Sequence, residues 1–146
     1  MSSAMADADT IDRYPWVTPI TTRWTDNDVY GHINNATYYS YFDSAANLFL
    51  VSECGLDIAS GQVIALVVES RCSYERPLAY PTPLRAGVRV DRLGNRAVTW
   101  GIAIFDELNP SPAAHGYFVH VFVDRQTRRP VAIPDTIRSK LIGLER

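Results

Sequence analysis

Residues 36–54, ATYYSYFDSAANLFLVSEC, constrain the fold of this chain more than any other stretch. Tyr39, Phe42, Ala46 and Phe49 recur at helical spacing, and Tyr38, Ala45 and Leu48 widen the apolar stripe. Gly55 follows as a C-cap residue that stops the helix. About 19 residues at 1.5 Å each give a helix of roughly 28 Å, long enough to cross a whole small sheet. It is apolar around so much of its circumference that one flat partner cannot cover it, and the expectation is that strands wrap it.

The rest of the chain supplies those strands. Val17–Trp24 is β-rich, and Pro19 suits an edge or the first part of a strand. After the helix the pattern turns to period two, at Val63–Tyr74, Leu84–Val90, Val98–Phe105 and Tyr117–Val123. The turn-rich connections RPLAYPTP, RLGN and DELNPSP predict that sequence neighbours pair as an antiparallel meander. Pro134 opens a short terminal helix over DTIRSKLIGL. The order β, long α, then four β predicts an α+β domain in which a five-stranded antiparallel sheet curls around one long helix, the hotdog architecture. The competing cone-shaped fold of nuclear-transport-factor-like proteins opens with helices, whereas here a strand comes first.

At 146 residues the chain has the length of one domain. Residues 14–146 are expected to form it, behind a frayed, acidic tail over 1–13. With 47% hydrophobic and 21% charged residues the composition excludes disordered, collagenous and disulfide-dense classes. No run is long and apolar enough for a membrane helix, so no membrane association is expected. A net charge of -2 offers no field for gathering nucleic acid. Of the 14 basic side chains all but Lys140 are Arg, the better forked donor for phosphate oxygens. Cys54 and Cys72 match neither a CxxC pair nor zinc spacing and read as buried thiols. The opening MSSAMADADTIDRY lacks the apolar core of an export signal, which predicts a reducing, cytoplasmic setting.

Dinucleotide, P-loop, α/β-hydrolase and zincin signatures are all missing from the sequence. DNDVYG begins like a calcium loop. Counted from Asp26, however, the fifth, sixth and twelfth positions hold Tyr30, Gly31 and Thr37, and the acid required at the twelfth is lacking. What remains is Asp26-x-Asp28-x-x-Gly31-His32-x-Asn34-Asn35, between the first strand and the long helix. A helix N-terminus leaves backbone N–H groups unpaired and partially positive, a place that stabilises oxyanions. A carboxylate beside it can attack a carbonyl seated on those amides, or direct water at it. The same residues also serve as Asx turns and helix caps, so spacing alone leaves both roles open.

The run RWTDNDVYGHINNATYYSYFDSA, from Arg23, closely resembles acyl-CoA thioesterases of the 4-hydroxybenzoyl-CoA thioesterase type, whose pattern D-x-D-x-x-G-H-x-N-N-x-x-Y enters the hotdog helix. VVESRCSYERPLAYPTPL is similar to that family's second strand and following loop, and HVFVDRQTRRPVAIP to its closing hairpin. The resemblance implies hydrolysis of an acyl-CoA substrate at a subunit interface of a homodimer or homotetramer, with no metal or cofactor. It implies that Asp28 is the catalytic carboxylate and that the Asn35 backbone N–H polarises the thioester carbonyl. His32 stands where many relatives carry His, as a catalytic candidate or a hydrogen bond fixing the loop. Asn34 is a substrate-binding candidate, or holds the turn that aims Asp28. Glu69 is a second carboxylate that could approach a neighbouring subunit's Asp28. Arg96, with Arg92 near it, and Arg128 or Arg129 match places where phosphate-contacting bases occur. His115 and His120 read as packed or surface residues, and Tyr38, Tyr39 and Tyr41 as core or acyl-pocket residues. Two other activities fit less of the pattern: a non-catalytic acyl-CoA-binding module, and hydration of an enoyl thioester, whose motif spaces Asp and His differently.

Overall fold

The computed structural model describes residues 9–145. Its elements are β1 (Trp16–Ile20), α1 (Thr37–Ser52), β2 (Val63–Tyr74), β3 (Leu84–Leu93), β4 (Ala97–Asp106), β5 (Ala114–Asp124) and α2 (Asp135–Ile142), with 3-10 turns at Ile11–Arg13 and Trp24–Asp26. The five strands form one antiparallel sheet in the order β1-β3-β4-β5-β2. The expected hotdog is therefore the observed architecture. The full meander is not, because only β3, β4 and β5 pair in sequence order. The strand after the helix, β2, lies at the far edge and pairs with β5, since period-two alternation says which faces a strand has and nothing about its partner.

The sheet embraces α1 from one edge to the other. Trp16 on β1 meets Phe49 edge-on at 5.2 Å, and Tyr74 on β2 meets Tyr38 at 5.3 Å. Between them Phe42 packs on Phe118 and Phe49 on Trp100. Phe42, Ala46 and Leu50 are fully buried, and the large Phe42 and Leu50 side chains each contribute roughly 1.5–3 kcal/mol by leaving water. Leu48, expected in the stripe, is exposed, and Tyr41 takes a buried place instead.

The local boundaries differ from expectation for identifiable reasons. The first strand ends at Ile20 rather than Trp24, because the chain turns into the 3-10 turn. The helix begins at Thr37 behind Ala36, with no side-chain cap on its N-cap residue, because Asn34 uses its carbonyl on the Ala36 N–H just upstream. Gly55 ends the region with φ 71°, the left-handed conformation glycine adopts without strain. Residues 1–8 of the expected tail lie outside the described residues. Residues 9–13, however, are docked: Ile11 joins a small cluster of Tyr14, Ala103 and Phe105 on the face of the sheet away from α1, and Asp9 pairs with Arg89. Cys54 and Cys72 are half-buried rather than buried, and burial pushes each thiol up to about 11, where it stays protonated. Among the described residues, no helix is long and apolar enough to cross a membrane.

Candidate active site

The loop from Thr21 to Ala36 joins β1 to α1, and two carboxylates two residues apart organise it differently. Asp26 is buried to 1%. Its Oδ2 accepts hydrogen bonds from the Arg23 N–H at 2.9 Å and the Tyr41 hydroxyl at 2.6 Å, while Oδ1 accepts the Arg23 Nε–H at 3.1 Å. Burial opposes ionisation of this carboxyl, but the donors of Tyr41 and Arg23 together outweigh it and hold its pKa below the ordinary 3.8. Burial and the adjacent Asp26 charge push the Tyr41 phenol upward, so it stays a donor. Asp26 is the anchor of the loop, with no valence left for a substrate.

Asp28 sits at the neck of a small hairpin. Its N–H bonds the His32 carbonyl, its carbonyl accepts the Gly31 N–H, and Asn27 bridges Ile33 one step further out. Gly31 makes the reversal possible with φ 85°. The half-buried carboxylate accepts the Tyr30 N–H on Oδ1 at 2.9 Å and the Asn34 amide on Oδ2 at 3.2 Å. Each oxygen keeps a further lone-pair direction open. The Asn34 side chain thus spans the two halves of the site: its NH2 holds Asp28 while its carbonyl holds the Ala36 N–H at 2.9 Å. Both ends of this amide are engaged inside the protein, which makes it a support for Asp28, while its second N–H and second carbonyl lone pair stay open.

Next along the chain, Asn35 is exposed, and among the described residues its N–H meets no acceptor. Its carbonyl accepts the Tyr74 hydroxyl at 2.9 Å, which ties the start of the helix to the end of β2. A cleft of about 320 Å³ opens here, walled by His32, Ile33, Tyr38 and Tyr74 with Arg76 at its rim. Burial pushes the Tyr38 phenol to about 12. Arg76 is tied to Asp106 at 3.2 Å and to the carbonyls of Ser111 and Pro112. The arrangement can do one thing well: hold a carbonyl oxygen against a free amide at the positive end of a sixteen-residue helix, with a fixed carboxylate close in the chain.

Asp28, His32, Asn34 and Asn35 therefore come together. Glu69 does not join them within one chain: it lies on the face of the sheet opposite α1, where the Tyr117 hydroxyl donates to its carboxylate. Arg96, Arg128 and Arg129 do not join them either. Asn35 is bound to the β2 end that pairs with Ala114. By contrast, Arg96 sits in the β3–β4 turn, where its carbonyl takes the Phe122 N–H, and Arg128 and Arg129 follow the far end of β5. Ten residues of β4 separate the two ends, about 30 Å at the rise of a strand. Among the described residues the guanidinium groups of Arg92, Arg96, Arg128 and Arg129 have no protein partner. His120 is a packed residue, accepting the Trp100 indole N–H at 2.9 Å on Nδ1, and burial pushes its pKa down to about 4. His115 pairs with Glu75 at 2.8 Å. Sequence reasoning missed Tyr74 and Arg23, for which there was no signal, and the hydroxyl contact of Tyr41, which read only as one of a set of helical tyrosines in the core or an acyl pocket.

Residues 22–141 match the family model of the thioesterase-like superfamily. The PA5185 protein of Pseudomonas aeruginosa strain PAO1, known from its crystal structure, is 48% identical; the match covers 94% of this chain and 96% of that one, with a TM-score of 0.93. The chloroplastic acyl-acyl carrier protein thioesterase ATL3 of Arabidopsis thaliana is 28% identical over 79% of this chain, and the match spans 61% of that protein's length. Slr0204, a 1,4-dihydroxy-2-naphthoyl-CoA thioesterase from Synechocystis, shares the fold at 14% identity, with a TM-score of 0.78, over 88% of this chain and 96% of that one.

Proposed function

The chain belongs to the thioesterase-like superfamily and is a thioester hydrolase, and on that premise we propose that it cleaves an acyl-CoA to the free acid and CoA with Asp28 as the catalytic carboxylate. The observation that carries this reading is the Asp28 carboxylate, held on both oxygens by Tyr30 and Asn34 and followed by an Asn35 N–H that meets no acceptor among the described residues, just before α1. The thioester carbonyl oxygen rests on the Asn35 N–H, where the helix dipole favours the negative charge that develops. Asp28 attacks the carbonyl carbon, or takes a proton from the water that does. The tetrahedral intermediate then collapses, the C–S bond breaks with its electron pair on sulfur, and the CoA thiolate picks up a proton from water. Where Asp28 itself has attacked, water opens the resulting mixed anhydride.

The CoA part of the proposal draws on the arginines and on Slr0204, whose substrate is a CoA thioester. Phosphates need forked donors, and four of these guanidinium groups meet no partner among the described residues at one end of the sheet. They can meet the cleft only in an oligomer. Among the described residues the outer edge of β2 pairs with no strand, and Leu66, Val67 and Val68 on it are exposed. Two such edges joined antiparallel across a twofold axis set the Val63 end of one copy beside the Tyr74 end of the other. Arg96, Arg128 and Arg129 of one copy then approach the cleft of its mate, so the working unit is a homodimer or a dimer of dimers.

The test is turnover of a panel of acyl-CoAs followed by release of free thiol, with and without Asp28→Ala. Loss of turnover in the variant is expected, and unchanged turnover removes Asp28 from the mechanism. Tight binding of a nonhydrolysable CoA analogue, with no thiol released from any thioester, would point instead to a binding module.

A further inference from the structure

We propose that Tyr41, a residue of the helix core, is a positioning residue for the hydrolysis, acting through Asp26 and Asn34 on Asp28; the inference rests on the catalytic reading of Asp28 given above. Four observations make a continuous chain of contacts. The Tyr41 hydroxyl donates to Asp26 Oδ2 at 2.6 Å, and both residues are buried, at 6% and 1% exposure. The Asp26 backbone carbonyl accepts the Asn34 N–H at 2.9 Å. The Asn34 amide then holds the Asp28 carboxylate on one side and the Ala36 N–H on the other. Between Asp26 and Asn34 the hairpin is closed on itself by the Asp28 N–H to His32 bond and the Asn27 to Ile33 bridge.

The consequence is geometric. The attacking group is carried by the loop, whereas the oxyanion donor is carried by the first residues of the helix. Their separation depends on how firmly the loop is fixed to the helix, and within this network Tyr41 is the one helical side chain that grips it, through a carboxylate whose remaining acceptor positions are taken by Arg23. The bond is short and shielded from water, conditions in which a charge-assisted hydrogen bond is strong. A catalytic group displaced by even an ångström loses much of its effect without altering how substrate binds. The Tyr41 hydroxyl meets Asp26 rather than the cleft; the Tyr41 ring packs on Tyr38, a wall of the cleft, and that ring contact is left in place when only the hydroxyl is removed.

The prediction separates this role from simple stabilisation. Tyr41→Phe keeps the ring that packs on Tyr38 at 6.0 Å and removes only the hydroxyl. It should lower kcat about tenfold while KM stays within about twofold. Ile137→Val, in the terminal helix and remote from the loop, serves as a variant destabilised without disturbing the network, and its kcat should be unchanged. In an Asn34→Ala background Tyr41→Phe should lower kcat by no more than about twofold further, because the path from Tyr41 to Asp28 is already cut. A kcat for Tyr41→Phe within about twofold of the parent, or losses that multiply fully in the double variant, would overturn the proposal. Should Tyr41→Phe fail to fold, Arg23→Met, which strips the mostly exposed guanidinium from the same carboxylate, decides by the same split of kcat against KM. Full turnover in Asp28→Ala, measured alongside, signals failure of the catalytic reading itself; a dead Asp28→Ala with an unaffected Tyr41→Phe signals failure of the positioning role alone.

Discussion

The two ends of the sheet are built on opposite plans. At the end where Asp28 lies, nearly every polar group has a partner: Asp26 is held by Arg23 and Tyr41, Asp28 by Tyr30 and Asn34, Arg76 by Asp106 and two carbonyls. At the other end Arg92, Arg96, Arg128 and Arg129 carry guanidinium groups that no protein acceptor among the described residues takes. A reacting group must be preorganised, because freedom in it is lost from the rate. A group that grips a mobile phosphate tail needs free donors more than a fixed position. On the proposed function, the first end is the place of chemistry and the second a place of binding, and two copies would bring them together.

The sharpest way to break the contrast is at the closed end. Asp28→Asn is nearly isosteric, removes the charge and keeps an acceptor for one of the two N–H donors that hold Asp28, and kcat should fall by about 10³-fold with little change in melting temperature. Stopped assays on a saturating acyl-CoA would read it. If KM alone changed, the closed end would be a binding surface and the division of labour would be wrong.

The next effect tests whether the two ends must meet. Val68 lies at the bulge of β2, between Val67 and Glu69, and is 61% exposed. A charge there, in Val68→Asp, should block edge pairing and yield a monomer by sedimentation, with kcat/KM down about a hundredfold. An active monomer would show that one copy suffices. Smaller again is the effect of the open end alone. Arg96→Ala and Arg129→Ala should each raise KM for the acyl-CoA about three- to tenfold at low salt, leave kcat unchanged, and lose their effect as ionic strength rises.

This division also explains what the sequence disclosed and what it withheld. The helix and the strands were legible because apolar side chains recur at 3.6 and at 2 residues, a local property. The position of β2 was not, since its neighbour β5 lies forty residues further on and nothing in Val63–Tyr74 specifies it. The loop was legible as a motif, because a carboxylate pair at a helix start has a chemistry, but it was the resemblance to the thioesterase family that singled out Asp28 and the Asn35 N–H. Asp26 looked equivalent to Asp28 in the sequence. Only burial and the distant Tyr41 hydroxyl, fifteen residues on, separate an anchor from a reactive group. The arginines were legible as a surplus of one residue type, but their distance from Asp28 depends on strand direction, which composition does not carry.

The smallest effect concerns acid, and it compares an aspartate at each end. Asp26 at the closed end and Asp124 at the open end both have pKa values below the ordinary 3.8. For Asp26 the lowering survives burial through the bonds from Tyr41 and Arg23, whereas Asp124 is lowered chiefly by the N–H groups of Thr127 and Gln126 in an exposed turn. A carboxyl whose folded pKa is depressed contributes stability that is complete above the unfolded value near 3.8 and is lost as pH falls through the folded value, because the unfolded chain then binds the proton first. Removing the Tyr41 hydroxyl raises the folded pKa of Asp26 and so shrinks the part of the stability that acid can remove. Denaturant midpoints measured from about pH 6 down to about pH 2.5 should show the gap between the parent protein and Tyr41→Phe narrowing below about pH 4. For Asp124→Asn the corresponding gap should stay small throughout, since solvent screens an exposed carboxylate. A gap for Tyr41→Phe that stays constant across the whole range would mean that the hydroxyl supports the fold by packing alone, and that the closed end is not held together by the charge on Asp26.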